Sequence, residues 1–146
     1  MRKAFLALVA LLTLYSCGTP NTLYYWGDIQ DGTTAYENLA YLSYEKQTPK
    51  SICDLVALYE DMVTNPGGAR QVPPPGICAE YGYLLLQPET ATVFMENASK
   101  RQKRLFESSD YVVLFRERGK ELLEKEIQLY PESIRFIQPI LKRIAK

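Results

Sequence analysis

Thr48-Pro49-Lys50-Ser51-Ile52-Cys53-Asp54-Leu55-Val56-Ala57-Leu58-Tyr59-Glu60-Asp61-Met62-Val63 is the stretch on which the fold turns. Ile52, Leu55, Val56, Tyr59, Met62 and Val63 recur at steps of three and four. That spacing lines side chains along one face of an α-helix, whereas a strand would send them to alternate faces. Thr48 is a good N-cap, and Pro49 stands at the first helical position, where its missing N–H costs no hydrogen bond. Asn65-Pro66-Gly67-Gly68 ends the helix. An apolar face of this length must be covered by other parts of the chain.

Upstream, Thr34-Ala35-Tyr36-Glu37 has the capping-box spacing, threonine at the cap and glutamate three later. It predicts a helix over 35–46 with Tyr36, Leu39, Ala40 and Ser43 on one stripe. A link of a few residues joins it to the next helix, so the two form an antiparallel hairpin. Downstream, Val72-Pro73-Pro74-Pro75-Gly76 is a stiff extended connector. A helix over 77–87 carrying Tyr81, Leu84 and Leu85 follows, and Pro88 stops it. Ala91, Phe94, Met95 and Ala98 predict a short fourth helix, and Ser99-Lys100-Arg101-Gln102 is a further capping box before Leu105 and Phe106. Ser109-Asp110 introduces a long helix to about Tyr130, with Tyr111, Leu114, Phe115, Leu122, Leu123, Ile127 and Tyr130 facing inward. Ile134, Ile137, Leu141 and Ile144 mark a final helix, kinked or interrupted at Pro139. No segment alternates as a strand does. The expected fold is all-α, with stacked helical hairpins, because no hairpin can bury its apolar face alone.

The chain has 146 residues, 47% apolar and 23% charged, which suits one globular domain. Its formal net charge is zero, so there is no general electrostatic case for nucleic acid. The charge is nevertheless split. Residues 17–99 hold three basic residues (Lys46, Lys50, Arg70) against ten acidic ones, and residues 100–146 hold twelve basic against seven acidic. Such a split either orients a partner or is satisfied between neighbouring helices. Histidine is absent, which removes Ser–His and Cys–His catalysis, histidine bases and most transition-metal sites. The residues form no recognisable catalytic constellation and imply no cofactor. Asp28 and Asp31 lack the alternating oxygen ligands of a calcium loop. Glu117, Glu121 and Glu124 alternate with Arg118, Lys120 and Lys125, as surface ion pairing produces.

Arg2 and Lys3 precede an uncharged apolar run, Ala4 to Tyr15. At twelve residues the run falls short of the ~20 a spanning helix needs and has the length of a signal-peptide core. Leu14-Tyr15-Ser16-Cys17 resembles the lipobox of bacterial lipoproteins, with Tyr15 bulkier than the usual residue there. The resemblance implies a signal peptide over 1–16, diacylglyceryl transfer to the Cys17 thiolate as a thioether, and acylation of the freed amine. Several acyl chains on one residue meet the requirement for stable anchoring. Residues 17–33 are then the lipidated N-terminus and tether, and 34–146 the helical domain. Gly18-Thr19-Pro20-Asn21 has no acidic residue after the cysteine, which favours the periplasmic face of the outer membrane over inner-membrane retention.

Within the tether, Tyr24, Tyr25 and Trp26 either dock a partner or fold back onto the first hairpin, with Gly27 allowing the turn. Cys53 and Cys78 lie near the starts of successive helices, at opposite ends of an antiparallel stack. Cys53 is already about 15 Å from the end of its helix, beyond bridging distance, so both are expected as free core cysteines. Lys100, Arg101, Lys103 and Arg104 are the densest basic cluster, either a solvated helix face or a site for an acidic partner or anionic lipid head groups.

From Gly76 onward the residues resemble a tetratricopeptide unit: Cys78-x-x-Tyr81-Gly82-x-x-Leu85, then Gly119-x-x-x-Leu123 followed by Pro131. The unit is longer than the usual ~34 residues, which implies an insertion around Pro88–Asp110 or a different helical array. The whole mature chain resembles a family of small bacterial lipoproteins without assigned activity. That resemblance rests on the lipobox, Leu23-Tyr24-Tyr25-Trp26-Gly27-Asp28, the connector into Ala79-Glu80-Tyr81-Gly82-Tyr83, and Glu126-x-x-x-Tyr130-Pro131-Glu132-Ser133. Members of that family are often encoded beside a lipoprotein resembling CsgG, the curli secretion channel. The resemblance implies a non-enzymatic envelope scaffold with such a partner. A ligand-binding or cell-wall-acting lipoprotein and a structural oligomer around a channel stand as alternatives.

Overall fold

A computed structural model describes residues 22–106 and 110–144. The expected signal peptide, Cys17 and the first tether residues lie outside the described residues, as does Ser109. Within them the chain is mostly helical, as the periodicity predicts. Seven α-helices occur among the described residues: α1 (Ala35–Glu45), α2 (Pro49–Thr64), α3 (Ile77–Leu85), α4 (Thr90–Asn97), α5 (Lys100–Lys103), α6 (Tyr111–Leu129) and α7 (Ile134–Ile144), with a 3-10 turn at Pro131–Ser133.

The helix starts follow from local chemistry. Thr34 and Glu37 close a reciprocal capping box on α1, and Ser99 and Gln102 do the same on α5. Thr48 caps α2 with Ser51 as its reciprocal partner and Pro49 in the first turn. Asp110 Oδ1 accepts the N–H groups of Val112 and Val113 at the start of α6. α3 starts without a side-chain cap of its own, from Gly76 in the left-handed region, and α4 likewise has none.

Two expectations are corrected. The segment read as free of strands contains a minimal hairpin, β1 (Ile29–Gln30) antiparallel to β2 (Thr33–Thr34), with Ile29 opposite Thr34. Asp31 and Gly32 both have positive φ, the conformation that Asp-Gly adopts in a two-residue hairpin turn. Pro139 lies inside α7 without interrupting it. Its missing N–H would have bonded the Arg135 carbonyl, on the exposed side of the helix, where water can take that carbonyl.

Packing proceeds in sequence: α1 on α2, α2 on α3, α3 on α6 and α6 on α7. The α3–α6 contact is the most extensive, and glycines permit it. A Cβ on Gly82 would lie 2.7 Å from the Gly119 carbonyl oxygen, and one on Gly119 would lie 2.9 Å from the Gly82 carbonyl oxygen. The Pro88–Asp110 segment is part of the core. Phe94, Phe106, Tyr111 and Phe115 form an edge-to-face cluster with centroids 5.2–6.4 Å apart, a geometry that suits ring quadrupoles. Met95, placed on an apolar stripe by periodicity, is instead exposed.

Residues 22–34 are fastened to the helices. The carbonyls of Thr22 and Leu23 accept the N–H groups of Ala69 and Arg70, and those of Trp26 and Asp28 accept Tyr36 and Ala35. No helix among the described residues is long and apolar enough to cross a membrane.

Candidate functional site

The residues singled out in the sequence fall into two separate places. Tyr25 and Trp26 are half-buried against the core. The Tyr25 hydroxyl donates to Asp61 at 3.2 Å and Asp28 at 3.3 Å. Burial, then those two carboxylates, push its pKa up to about 12. Trp26 stacks obliquely on Tyr36 with centroids 5.1 Å apart, and Tyr24 lies beside Tyr130. These aromatics therefore lie against the ends of α2 and α6.

Lys100, Arg101, Lys103 and Arg104 sit on and just after α5, at the other end of α2. Gln102 Nε2 donates to Asp54 at 2.8 Å, and Lys103 donates to the Met95 carbonyl. Asp54 and Asp61 are about 10 Å apart along α2 at 1.5 Å per residue, so the aromatic and basic sets do not form one surface. Cys53 and Cys78 are free and buried. Burial raises both thiols, Cys78 to about 11, which leaves little reactive thiolate at neutral pH.

Between α1, α2, α3 and α6 runs a polar ladder that periodicity does not reveal. Tyr59 donates to Glu80 Oε2 at 2.8 Å and Tyr36 to the same oxygen at 2.9 Å. Tyr81 donates to Glu60 Oε2 at 2.8 Å, and Arg118 Nη2 holds Glu60 Oε1 at 3.0 Å. Burial, then the Glu80 carboxylate, raises the Tyr36 hydroxyl to about 12. Burial and Glu60 place that of Tyr81 well above its ordinary value. Each carboxylate is held by protein donors, so the ladder clips four helices together. The signal available in the sequence was only the coincidence of tyrosines and glutamates on faces otherwise apolar.

Glu126 is a second such device. It is 2% exposed, and its Oε1 accepts the Gly76 N–H at 2.8 Å. A side chain 50 residues away thus supplies the cap that α3 lacks locally. Burial raises its pKa above the ordinary value, while the amides of Gly76, Ala79 and Cys78 oppose the rise.

Surface depressions occur elsewhere. Two open depressions of about 400 and 440 Å³ flank Ile144 near the end of α7. The first has an apolar floor from Leu85, Leu86, Pro88 and Ala91, with Val112 and Ile144 as its wall. The second runs along α6 past Val112, Val113 and Lys120. Arg116 borders both, and Arg143 borders the first. Among the described residues none of Arg116, Lys120 and Arg143 forms an ion pair. Val112 is 63% and Val113 51% exposed. Among the described residues no group of three or more Cys, Asp or Glu is placed to hold a metal ion. No family model, no curated protein and no solved structure matches the chain.

Proposed function

We propose that this chain is a lipid-anchored scaffold of the bacterial envelope, without catalytic activity, which docks another protein in the groove between the α3–α4 turn, α6 and α7. The groove carries the reading. It joins an apolar floor to Arg116, Lys120 and Arg143, three cations with no ion-pair partner among the described residues. Interfaces characteristically combine such an apolar centre with a charged rim. The two carboxylates of the polar ladder, by contrast, accept tyrosine hydroxyls, and Glu60 also pairs with Arg118.

In this reading Cys17 bears the lipid, and the anchor lies in the outer membrane facing the periplasm. The Gly76–Pro131 unit is a widened tetratricopeptide-like hairpin, supported by the close approach of Gly82 and Gly119. The partner is an envelope protein of the CsgG-like secretion-channel kind, as the lipobox and the aromatic and Pro-Pro-Gly motifs suggest. Tyr24, Tyr25 and Trp26 serve to fasten the tether.

Two experiments test the proposal. Cys17→Ala should move the protein from membranes to a soluble or unprocessed pool; correct processing and membrane retention would refute the anchor. Affinity purification from crosslinked envelopes should recover a channel-type lipoprotein with the native chain and lose it with Arg116→Glu/Arg143→Glu. Recovery of a small molecule or glycan alone would refute the scaffold.

A further inference from the structure

The packing order leaves α1 and α7 at the two ends of the molecule, each touching one inner helix extensively. In a stack of helices the end elements normally turn a polar face outward. Here each end mixes charged residues with large exposed aromatic or apolar ones. The inward side of α1 carries Ala35, Tyr36, Leu39 and Ala40. Its outward side carries Glu37, Tyr41, Tyr44 and Glu45, with Tyr44 95% exposed and Tyr41 63% exposed. At the other end lie the two depressions around Ile144.

The two ends are complementary in charge, since three cations line the depressions against one carboxylate, Glu117. Glu37, held in the Thr34 capping box, and Glu45, which accepts the Tyr41 hydroxyl at 2.7 Å, are in no ion pair among the described residues, and neither are Arg116, Lys120 and Arg143. Tyr41 and Tyr44 stand one helical turn apart, with Cβ atoms about 5–6 Å from each other. The depressions likewise lie side by side, separated by Ile144 and sharing Val112 and Arg116. Tyrosine supplies large contact area at little entropic cost and is enriched where interfaces concentrate their energy.

We infer that the occupant of the groove is a second copy of this chain, which inserts the outward face of its α1, Tyr41 and Tyr44 into the depressions and Glu45 toward Arg116 and Arg143. This rests on the reading of the groove as a docking surface and names a second occupant, which competes there with the envelope partner. The contact is head-to-tail, since the two surfaces differ, so every copy offers one free α1 and one free groove. Assembly therefore continues beyond a dimer into a ring or a filament, depending on whether the rotation between copies closes. One helix face in an open groove is a small interface. Association is weak in solution and strengthened where anchored copies are concentrated on one membrane. Its charged part is screened, so raising the salt weakens it.

The test uses the full chain in a non-ionic detergent, with two differently tagged copies co-expressed and one captured. Native copies should capture each other and sediment as species larger than a dimer. Arg116→Glu/Arg143→Glu, at the groove, and Tyr44→Ser/Glu45→Lys, on α1, should each lower capture at least tenfold while leaving the thermal unfolding midpoint unchanged. Mixing the groove variant with the α1 variant should restore capture as a closed one-to-one pair, because one intact interface remains between them. Capture that ignores the substitutions, a mixture that stays monomeric, or capture of anionic phospholipid vesicles in place of the second copy would each overturn the inference. If copies fail to associate while an envelope partner is still recovered through Arg116 and Arg143, this inference fails and the docking function stands. If neither depends on those residues, both fail.

Discussion

The middle of the stack and its two ends are built from the same kinds of residue arranged to opposite effect. In α2, α3 and α6 most large apolar side chains point inward, with Tyr83, Val112 and Val113 the exceptions. Val56, Met62, Ile77, Tyr81, Phe115 and Leu122 are all within 1% of complete burial. In α1 and α7 a good part of the apolar surface is left over. Tyr41, Leu42, Ile134 and Phe136 join Tyr44 on the exposed side, and Ile137 is the buried residue of α7. Polar groups divide the same way. Glu60 and Glu126 are buried and hydrogen-bonded in the middle, while the charges of the ends face solvent. The contrast teaches where stability resides and where binding does: the middle is saturated, and the ends are not.

Substitutions at matched residues should separate the two regions. The largest effect is expected from Phe115→Ala, which empties the site where Phe94, Phe106 and Tyr111 converge. It should cost about 3–5 kcal/mol in denaturant unfolding. A loss under about 1 kcal/mol would mean that the aromatic cluster is loosely packed. Gly82→Ala comes next. The added methyl meets a backbone carbonyl of α6, and separating the helices to admit it should cost about 2 kcal/mol or more, in the range of overpacked cores. An unchanged melting temperature would show that α3 and α6 are not so close.

Glu126→Ala should follow at about 1–2 kcal/mol, because it leaves the half-buried Gly76 amide without its acceptor. Glu126→Gln keeps an acceptor oxygen and should cost less, with a pH signature. The fold raises the Glu126 pKa, chiefly by burial, so the folded state binds a proton more readily than the unfolded chain does. The stability gained in this way is complete below the ordinary carboxylate value of 4.5 and is lost as pH rises through the higher folded value. The native chain should therefore lose stability relative to Glu126→Gln as pH increases from about 4 to 7. A constant or growing advantage for glutamate would contradict the burial argument.

The smallest effects belong to the ends. Tyr44→Ser and Phe136→Ser should each change stability by no more than about 0.5 kcal/mol. A loss of several kcal/mol at either residue would show that the ends are structural and would erase the contrast with the middle.

Much of the framework was legible before any coordinates. The stripes in α2 and α6 specified their buried faces, and Thr34, Thr48, Ser99 and Asp110 specified helix starts through short-range hydrogen bonds. Gly82 and Gly119 were readable as points of close approach. The hairpin at Ile29–Thr34 was missed because its strands are two residues long, too short to show a period; Asp31-Gly32 was the available signal. Met95 was misplaced because a short helix packs on a narrower stripe than its apolar residues can fill. Nothing at Arg116, Lys120 or Arg143 distinguished them from other surface cations, since a groove is made by neighbours that only folding brings together.

The sequence by itself determined which segments are helical and which faces they bury, because caps and apolar spacing act over a few residues. The tertiary structure decided how those helices are tied to each other. Glu126 caps α3 across 50 residues, and Arg118 reaches Glu60 across 58. It also decided that α1 and α7, alike in being amphipathic, stand at opposite ends with part of their apolar surface uncovered. Local periodicity gives each helix a greasy side; only the packing order settles which of those sides finds a partner within the chain.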